Sequence, residues 1–366
     1  MASNRTRPAP WGLVGMLVLV GLGEAIVGHV EPSIVGVEPW DWRRTGQAAS
    51  LSPEVRAASV LCFGDSLVKL GVQPRVLEAG LGENRRAYNL ALCAGRAPSS
   101  YFLLRRVLEA GARPEALVVD FNDSFLSEPP ETTIRLYSEL LRFEEARELA
   151  RTMARPDFAS TVLTFQGLRV AKNRFEIRRA IIDALLGRPD EGKRAASVAL
   201  RKNWKRNQGG QVMPKVATPL PDDPAAWAWV QPSGWRADPT NVAYLLAFFE
   251  LAEAHQIPVF WLLPPLHPGF SARRAELGLN APFDAFVSET LARIPRVVVV
   301  DGRAAKYDAS VFIDMAHLNL DGSRRLSESL ASIMAESLAC PGLRVVALPP
   351  FRSPRVASDP GSSVAR

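Results

Sequence analysis

The stretch Ala57-Ala58-Ser59-Val60-Leu61-Cys62-Phe63-Gly64-Asp65-Ser66-Leu67 decides how this chain is read. Ala57 to Phe63 is a near-continuous apolar run, as expected of a strand covered on both faces. Gly64 and Asp65 then break the run with small, turn-forming residues. A turn of this kind at a strand end holds a serine hydroxyl out of the sheet, at the N-terminus of a helix. Ser66 is therefore the first candidate for chemistry, and an ordinary turn serine is the plain alternative.

Outward from that stretch, strand and helix patterns alternate. Tyr88 to Leu92, Ala116 to Phe121, Pro258 to Leu263 and Val297 to Asp301 read as four further strands. Pro74 to Ala79, Ser99 to Ala110, Asn241 to His255, Phe283 to Ile294 and Gly322 to Leu338 read as helices. In the last of these, Leu326, Leu330, Met334 and Leu338 form one apolar stripe. Such alternation predicts an α/β fold, a parallel five-stranded sheet with helices on both faces. Chemistry in such sheets collects at the carboxyl ends of the strands. Ser66, Gly95 and Asn122 each fall just past the end of an expected strand.

The alternation fails between about 125 and 240. Arg135 to Ala150 and Val170 to Leu186 are charged and amphipathic, and Lys193 to Arg206 is strongly basic. Trp204, Trp227, Trp229 and Trp235 follow among prolines and glycines. This region reads as a helical insertion and cap on a domain spanning 55–345. The tryptophans fit anchors of that cap better than a sugar-stacking platform. Residues 346–366 read as a disordered tail.

At the N-terminus, Arg5 and Arg7 precede an apolar run from Trp11 to Leu22, and acidic Glu24, Glu31 and Glu38 follow. Basic residues before the run and acidic ones after it fit an inside N-terminus and an exported, extracytoplasmic body. Residues 1–28 are expected to be a signal anchor or a cleaved signal peptide, and both remain open. With Pro32, Pro39 and Pro53, residues 29–54 read as a linker.

The 366-residue chain carries a net charge of +6. That suits a membrane face or a polyanionic glycan. No zinc knuckle, recognition helix or RNA-binding aromatic motif is present, so no nucleic-acid partner is expected. Three cysteines, Cys62, Cys93 and Cys340, are too few for a disulfide scaffold. Cys62 and Cys93 lie on neighbouring expected strands, where they read as two buried thiols or a bridged pair. No cysteine has the spacing of a metal site, and neither a metal nor a cofactor is expected.

Acyl transfer through serine needs a base for the hydroxyl proton and donors for the negative oxygen on the attacked carbonyl. The string Asp314-Met315-Ala316-His317 supplies a base, His317, and an acid three residues earlier, Asp314, to hold its ring. Asn319 or Asp321 would cap the final helix and fix that turn. The oxyanion donors would be the Ser66 N–H, the Gly95 N–H and the Asn122 side-chain amide. His267, after Pro264-Pro265 at a strand end, is a rival base. His255 reads as a helix C-terminal cap. Asp65, Asp123, His267 and Asn319 complete the candidate list.

Taken together, Gly64-Asp65-Ser66-Leu67, Gly95, Asn122-Asp123 and Asp314-x-x-His317 resemble the four blocks of the SGNH (GDSL) hydrolase family. That resemblance implies a flavodoxin-like three-layer α/β/α sandwich and action on acyl esters without a metal. It implies Ser66 as nucleophile, Gly95 and Asn122 as oxyanion donors, and Asp314 and His317 as acid and base. In the third block Asp120 stands where the family usually has glycine. The membrane-proximal start, Leu262-Leu263-Pro264-Pro265 and His317-Leu318-Asn319-x-x-Gly322 resemble a subgroup of envelope proteins similar to alginate O-acetyltransferase components and the teichoic-acid D-alanylation protein. This implies a polysaccharide substrate and a membrane-bound acyltransferase partner. The expectation is an esterase or O-acyltransferase of the cell envelope. A non-catalytic envelope scaffold that keeps the fold and binds glycan is the alternative.

Overall fold

The computed structural model describes residues 11–82, 84–188, 191–214, 234–294, 296–338 and 344–350. The protein is an α/β structure around a parallel sheet of six strands. These are β1 (Val60–Phe63), β2 (Ala87–Asn89), β3 (Ala116–Val119), β4 (Val259–Leu263), β5 (Val297–Asp301) and β6 (Arg344–Ala347), in the order β2-β1-β3-β4-β5-β6. Strands β1 to β4 are buried along their whole length, which is why their sequences run apolar without alternation.

Each face of the sheet has its own cover. Val60, Cys62, Val118, Phe260, Leu262 and Val298 point to a core shared with Leu77, Leu326, Leu330 and Met334. There the helices Pro74–Leu81 and Leu320–Leu338 pack on each other. Their backbones approach closely because Gly80 faces Ala331, whose Cβ lies 2.5 Å from where a Cβ on Gly80 would sit. Burial of each large apolar side chain in this stripe contributes about 1.5–3 kcal/mol. On the other face, Phe63 and Phe121 meet Phe248 edge-on, and Phe249 packs on Trp261. The helices Ala97–Glu109 and Pro239–Ala254 pack together there.

Three expectations need correction. The sheet has six strands, not five. The sixth, Arg344–Ala347, pairs with β5 in a region assigned partly to the tail. Its short apolar run, Val345 to Leu348, is flanked by Pro and Gly residues that read as loop and tail. Residues 351–366 of that tail lie outside the described residues, as do Trp227, Trp229 and Cys340. The linker expected over 29–54 is largely helical, in Trp11–Ile34 and Val37–Leu51. The misleading prolines sit at helix ends. Pro39 and Pro53 lie in first turns, where no intrahelical hydrogen bond is lost, and Pro32 lies in a last turn.

Nor does the segment 125–240 fold as one cap. The described residues divide into two compact units. One joins those up to Gln47 with Pro130–Asn203; the other joins Ala48–Pro129 with those from Trp204 onward. In the first unit, Trp42 packs edge-on against Tyr137, and Lys172 pairs with Glu31 and Glu139 in a buried ion cluster. Among the described residues, Trp11–His29 is the helical stretch long and apolar enough to cross a membrane. In the second unit, Trp204 packs edge-on to Tyr88, and the Trp235 Nε1–H donates to the Asp123 carbonyl at 2.8 Å. Trp204 and Trp235 thus anchor the residues around them within the sheet unit. Cys62 and Cys93 are not joined in a disulfide.

Candidate active site

Strand β1 lies between β2 and β3, so the connections leaving the carboxyl ends of β1 and β3 diverge and open a crevice. Ser66 enters that crevice from β1 as the first residue of the helix Ser66–Gly71. Gly64 makes the turn possible. Its φ is +120°, and a Cβ there would lie 1.6 Å from Asp120 Oδ1. Asp65 caps the short helix, its Oδ1 accepting from the Leu67 N–H at 2.7 Å. Asp120, at the end of β3, in turn accepts from the Asp65 N–H at 2.9 Å. Asp120 therefore braces the serine turn from behind.

Across the crevice, the loop between the 3-10 turn Ala309–Val311 and the helix Leu320–Leu338 carries Asp314 and His317. Phe312 and Leu318 pair antiparallel, and the Ile313 N–H donates to the His317 carbonyl at 2.9 Å, closing a tight hairpin. Within it, Asp314 Oδ1 accepts from the N–H groups of Ala316 and His317 at 2.9 and 2.8 Å. Buried Asn319 fixes the hairpin to the helix. Its Oδ1 accepts from the N–H groups of Asp321 and Gly322, and its Nδ2 donates to the Ser310 carbonyl. Of the two expected caps, Asn319 is the one that serves.

The result is a continuous hydrogen-bonded chain. His317 Nε2 lies 2.7 Å from Ser66 Oγ, and His317 Nδ1 lies 2.7 Å from Asp314 Oδ2. With Nδ1–H donating to the carboxylate, the lone pair of Nε2 faces the serine hydroxyl. Burial works against the Asp314 charge. Its hydrogen bonds with the His317 ring and the Ala316 and His317 backbone nevertheless hold it below the usual carboxylate range.

Asn122 caps the helix Asp123–Ser127 through Oδ1, which accepts from the Phe125 N–H. Its Nδ2 donates to Asp65 Oδ2. An amide has two N–H groups, and Asn122 lines the cleft beside Ser66 and His317. Gly95 is placed differently. It lines a recess behind the turn with Asp65 and Asp120, and its N–H donates to the Leu92 carbonyl at 2.8 Å. A Cβ on Gly95 would lie 2.5 Å from the Gly64 carbonyl oxygen, so this glycine lets the second loop press on the serine turn. His267 caps the helix Pro268–Glu276, and its own N–H donates to the Met315 carbonyl. Burial lowers its basicity, only partly offset by the charges of Asp308 and Asp314. It supports the Asp314–His317 hairpin and does not reach Ser66. Asp123 pairs with Arg274 and accepts from the Ser124 N–H. Exposed His255 ends its helix as a C-cap.

Two features escaped the residue patterns. Arg274 is buried among apolar cleft residues. Asp65 and Asp120 form a buried carboxyl pair. Burial and the Asp120 charge push Asp65 well above the ordinary carboxyl range. Burial also lifts Asp120, to about 6, against the hydrogen bonds it receives from Asp65. The only local signal was Asp120 closing an apolar run of a strand, where a charge is out of place.

The cleft offers about 650 Å³ of space, much of it open to solvent. Leu67, Phe125, Leu263, Leu266, Phe270 and Phe283 give it an apolar wall, and Ser66 and His317 stand at its polar end. Among the described residues, no group of three or more His, Cys, Asp or Glu side chains is arranged to hold a metal ion. No protein-family model matches this chain, and no curated protein matches it.

Proposed function

We propose that the protein is a membrane-anchored, exported serine enzyme of the SGNH type that acts on acyl esters. The observation that carries this reading is the Asp314–His317–Ser66 hydrogen-bonded chain, with 2.7 Å at both links. His317 Nε2 takes the Ser66 proton as Oγ attacks the ester carbonyl. The tetrahedral oxyanion receives hydrogen bonds from the Ser66 N–H and the Asn122 amide. His317 returns the proton to the leaving alkoxide, and the acyl group stays on Ser66. Water or a sugar hydroxyl then attacks the acyl-enzyme with His317 again as base, giving hydrolysis or O-acyl transfer. The apolar wall of the cleft suits the acyl part of the substrate, and an envelope polysaccharide suits the acceptor. Strand order 2-1-3-4-5, with β6 added at one edge, supports a flavodoxin-like sandwich. The helix Trp11–Ile34 serves as the anchor, with the enzyme outside the cytoplasm and open to a membrane-bound acyltransferase as partner.

The scaffold reading draws on one observation, the engagement of the Gly95 N–H by Leu92, which leaves the oxyanion two of its three expected donors. A fluorophosphonate probe separates the two. It labels the wild-type chain and not Ser66→Ala if Ser66 is the nucleophile. A folded wild-type chain that stays unlabelled makes the protein a scaffold.

A further inference from the structure

We infer that the insertion helix Arg174–Leu185 lies in the interface of an anionic phospholipid bilayer, beside the N-terminal anchor. This rests on the reading of Trp11–Ile34 as membrane-spanning. The argument begins with length. Residues from Trp11 to Leu22 are bare, and at the rise of an α-helix they cover about 18 Å. A hydrocarbon core is about 30 Å thick. From Gly23 onward one side of the helix is covered by the insertion, while Ala25, Ile26 and His29 stay exposed. Glu24 accepts from the N–H groups of Arg169 and Val170 at 2.7 and 2.9 Å, and the Arg169 guanidinium lies over Gly28. Those contacts satisfy a carboxylate that lipid would otherwise strand. They also set Leu168 and Val170, both exposed, at the depth where the bare span runs out.

Chemistry completes the argument. Phe175, Ile181, Ile182, Leu185 and Leu186 are exposed on the next helix and its end, Leu185 at 81%. Residues 3, 4, 7, 8 and 11 apart on a helix share one side, so these apolar groups interleave with exposed Arg174, Arg178 and Arg179. Of the acids of the same helix, Glu176 pairs with Arg135 from outside it, while Asp183 pairs with Arg179 at 3.6 Å on a surface where Arg174 and Arg178 have no acidic partner on their own helix. Residues 168–188 carry six basic side chains against two acidic. Apolar groups set among arginines, with long stems that reach past them to phosphates, are what an interfacial helix presents to anionic lipid. The consequence for function is a fixed stance: the insertion unit is held on the bilayer by two elements rather than one.

The test uses the full-length chain with its accessible thiols replaced by serine, in phosphatidylcholine nanodiscs with and without phosphatidylglycerol. Spin labels are placed singly at Leu17→Cys, Ile182→Cys and Leu185→Cys, and collision with oxygen and with a water-soluble nickel chelate is measured. All three labels should show oxygen collision raised several-fold over nickel relative to free label in water. Those at 182 and 185 should sit about 5–10 Å into the headgroup and acyl boundary. Combining Arg174→Gln, Arg178→Gln and Arg179→Gln should move the labels at 182 and 185 towards water in discs containing phosphatidylglycerol, and leave the label at 17 in place. If Leu17 is in lipid while 182 and 185 are in water, the inference is overturned and the anchor stands. If 182 and 185 are shielded from both reagents, protein covers the face and the inference is again overturned. A label at 17 that is also in water overturns the anchor with it. Unchanged depth in the triple variant overturns the role of anionic lipid.

Discussion

Replacing Asp120 by Asn should stabilise the protein at pH 8 and leave it little changed at pH 4. In the folded chain the Asp65 and Asp120 carboxyls are both buried and face each other, and their ionised forms are disfavoured. Asp120 rises from 3.8 to about 6, and Asp65 rises as well. A raised folded-state value means that the native protein binds the proton more tightly than the unfolded chain. Stability is therefore greatest below the unfolded value and falls as pH climbs through the folded one. For Asp120 the loss begins near 3.8 and is complete somewhat above 6, with Asp65 extending it upward. Roughly two pH decades at about 1.4 kcal/mol each give about 3 kcal/mol for Asp120. Asn keeps an oxygen to accept from the Asp65 N–H and offers an amide hydrogen to the Asp65 carboxylate, without a second charge. Urea unfolding of the detergent-solubilised chain between pH 4 and 8, followed by near-ultraviolet circular dichroism, reads the effect. Relative to wild type, Asp120→Asn should gain stability as pH rises, by about 3 kcal/mol at pH 8. Other carboxyls held below their ordinary range, Asp314 and Glu31 among them, add stability as pH rises, so the test is the difference between wild type and variant: a gap that does not grow from pH 4 to 8, or a variant weaker than wild type at pH 8, refutes the buried-pair argument.

Asp314→Asn should slow fluorophosphonate labelling by about 10²–10⁴-fold, because it misorients the imidazole and removes the charge that stabilises its protonated form. An effect at the lower end is expected, since the Asp314 side chain is half-exposed to water. Gly64→Ala should cost more than about 2 kcal/mol, from the +120° backbone and the 1.6 Å approach to Asp120 Oδ1, and thermal unfolding checks it. Lys172→Met should leave the buried carboxylates of Glu31 and Glu139 to share Arg43 as their remaining cation, at a cost near the lower end of about 3–5 kcal/mol. Faster limited proteolysis within 130–203 would show it, and unchanged protection there would count against that cluster as a support.

The five apolar strands and the helices between them were legible because each is a local pattern. A strand buried on both faces must be apolar along its length, and a helix lying on a sheet must carry a stripe. Ser66 at a strand end, and Asp314 three residues from His317, are equally local. The sixth strand was hidden because its short apolar run, Val345 to Leu348, is set between Pro341-Gly342 and Pro349-Pro350, which read as loop and tail. The helices within 11–51 were hidden because proline marks both loops and helix ends.

What the chain determined by itself was an alternation of apolar strands with amphipathic helices, and turns that place small or polar residues at strand ends. Only the tertiary structure decided which of those residues meet. The Ser66 hydroxyl and the His317 imidazole are 251 positions apart and 2.7 Å apart in space. Gly95 lies equally near the turn, but its N–H is already given to Leu92. Asp120 and Asp65, which follow different strands, share one buried site, and the first helices fold with residues 130–203 rather than standing apart. Secondary structure follows from neighbours along the backbone. The protonation of a carboxyl, the availability of an N–H and the covering of a helix face depend on groups brought from elsewhere, and those only packing supplies.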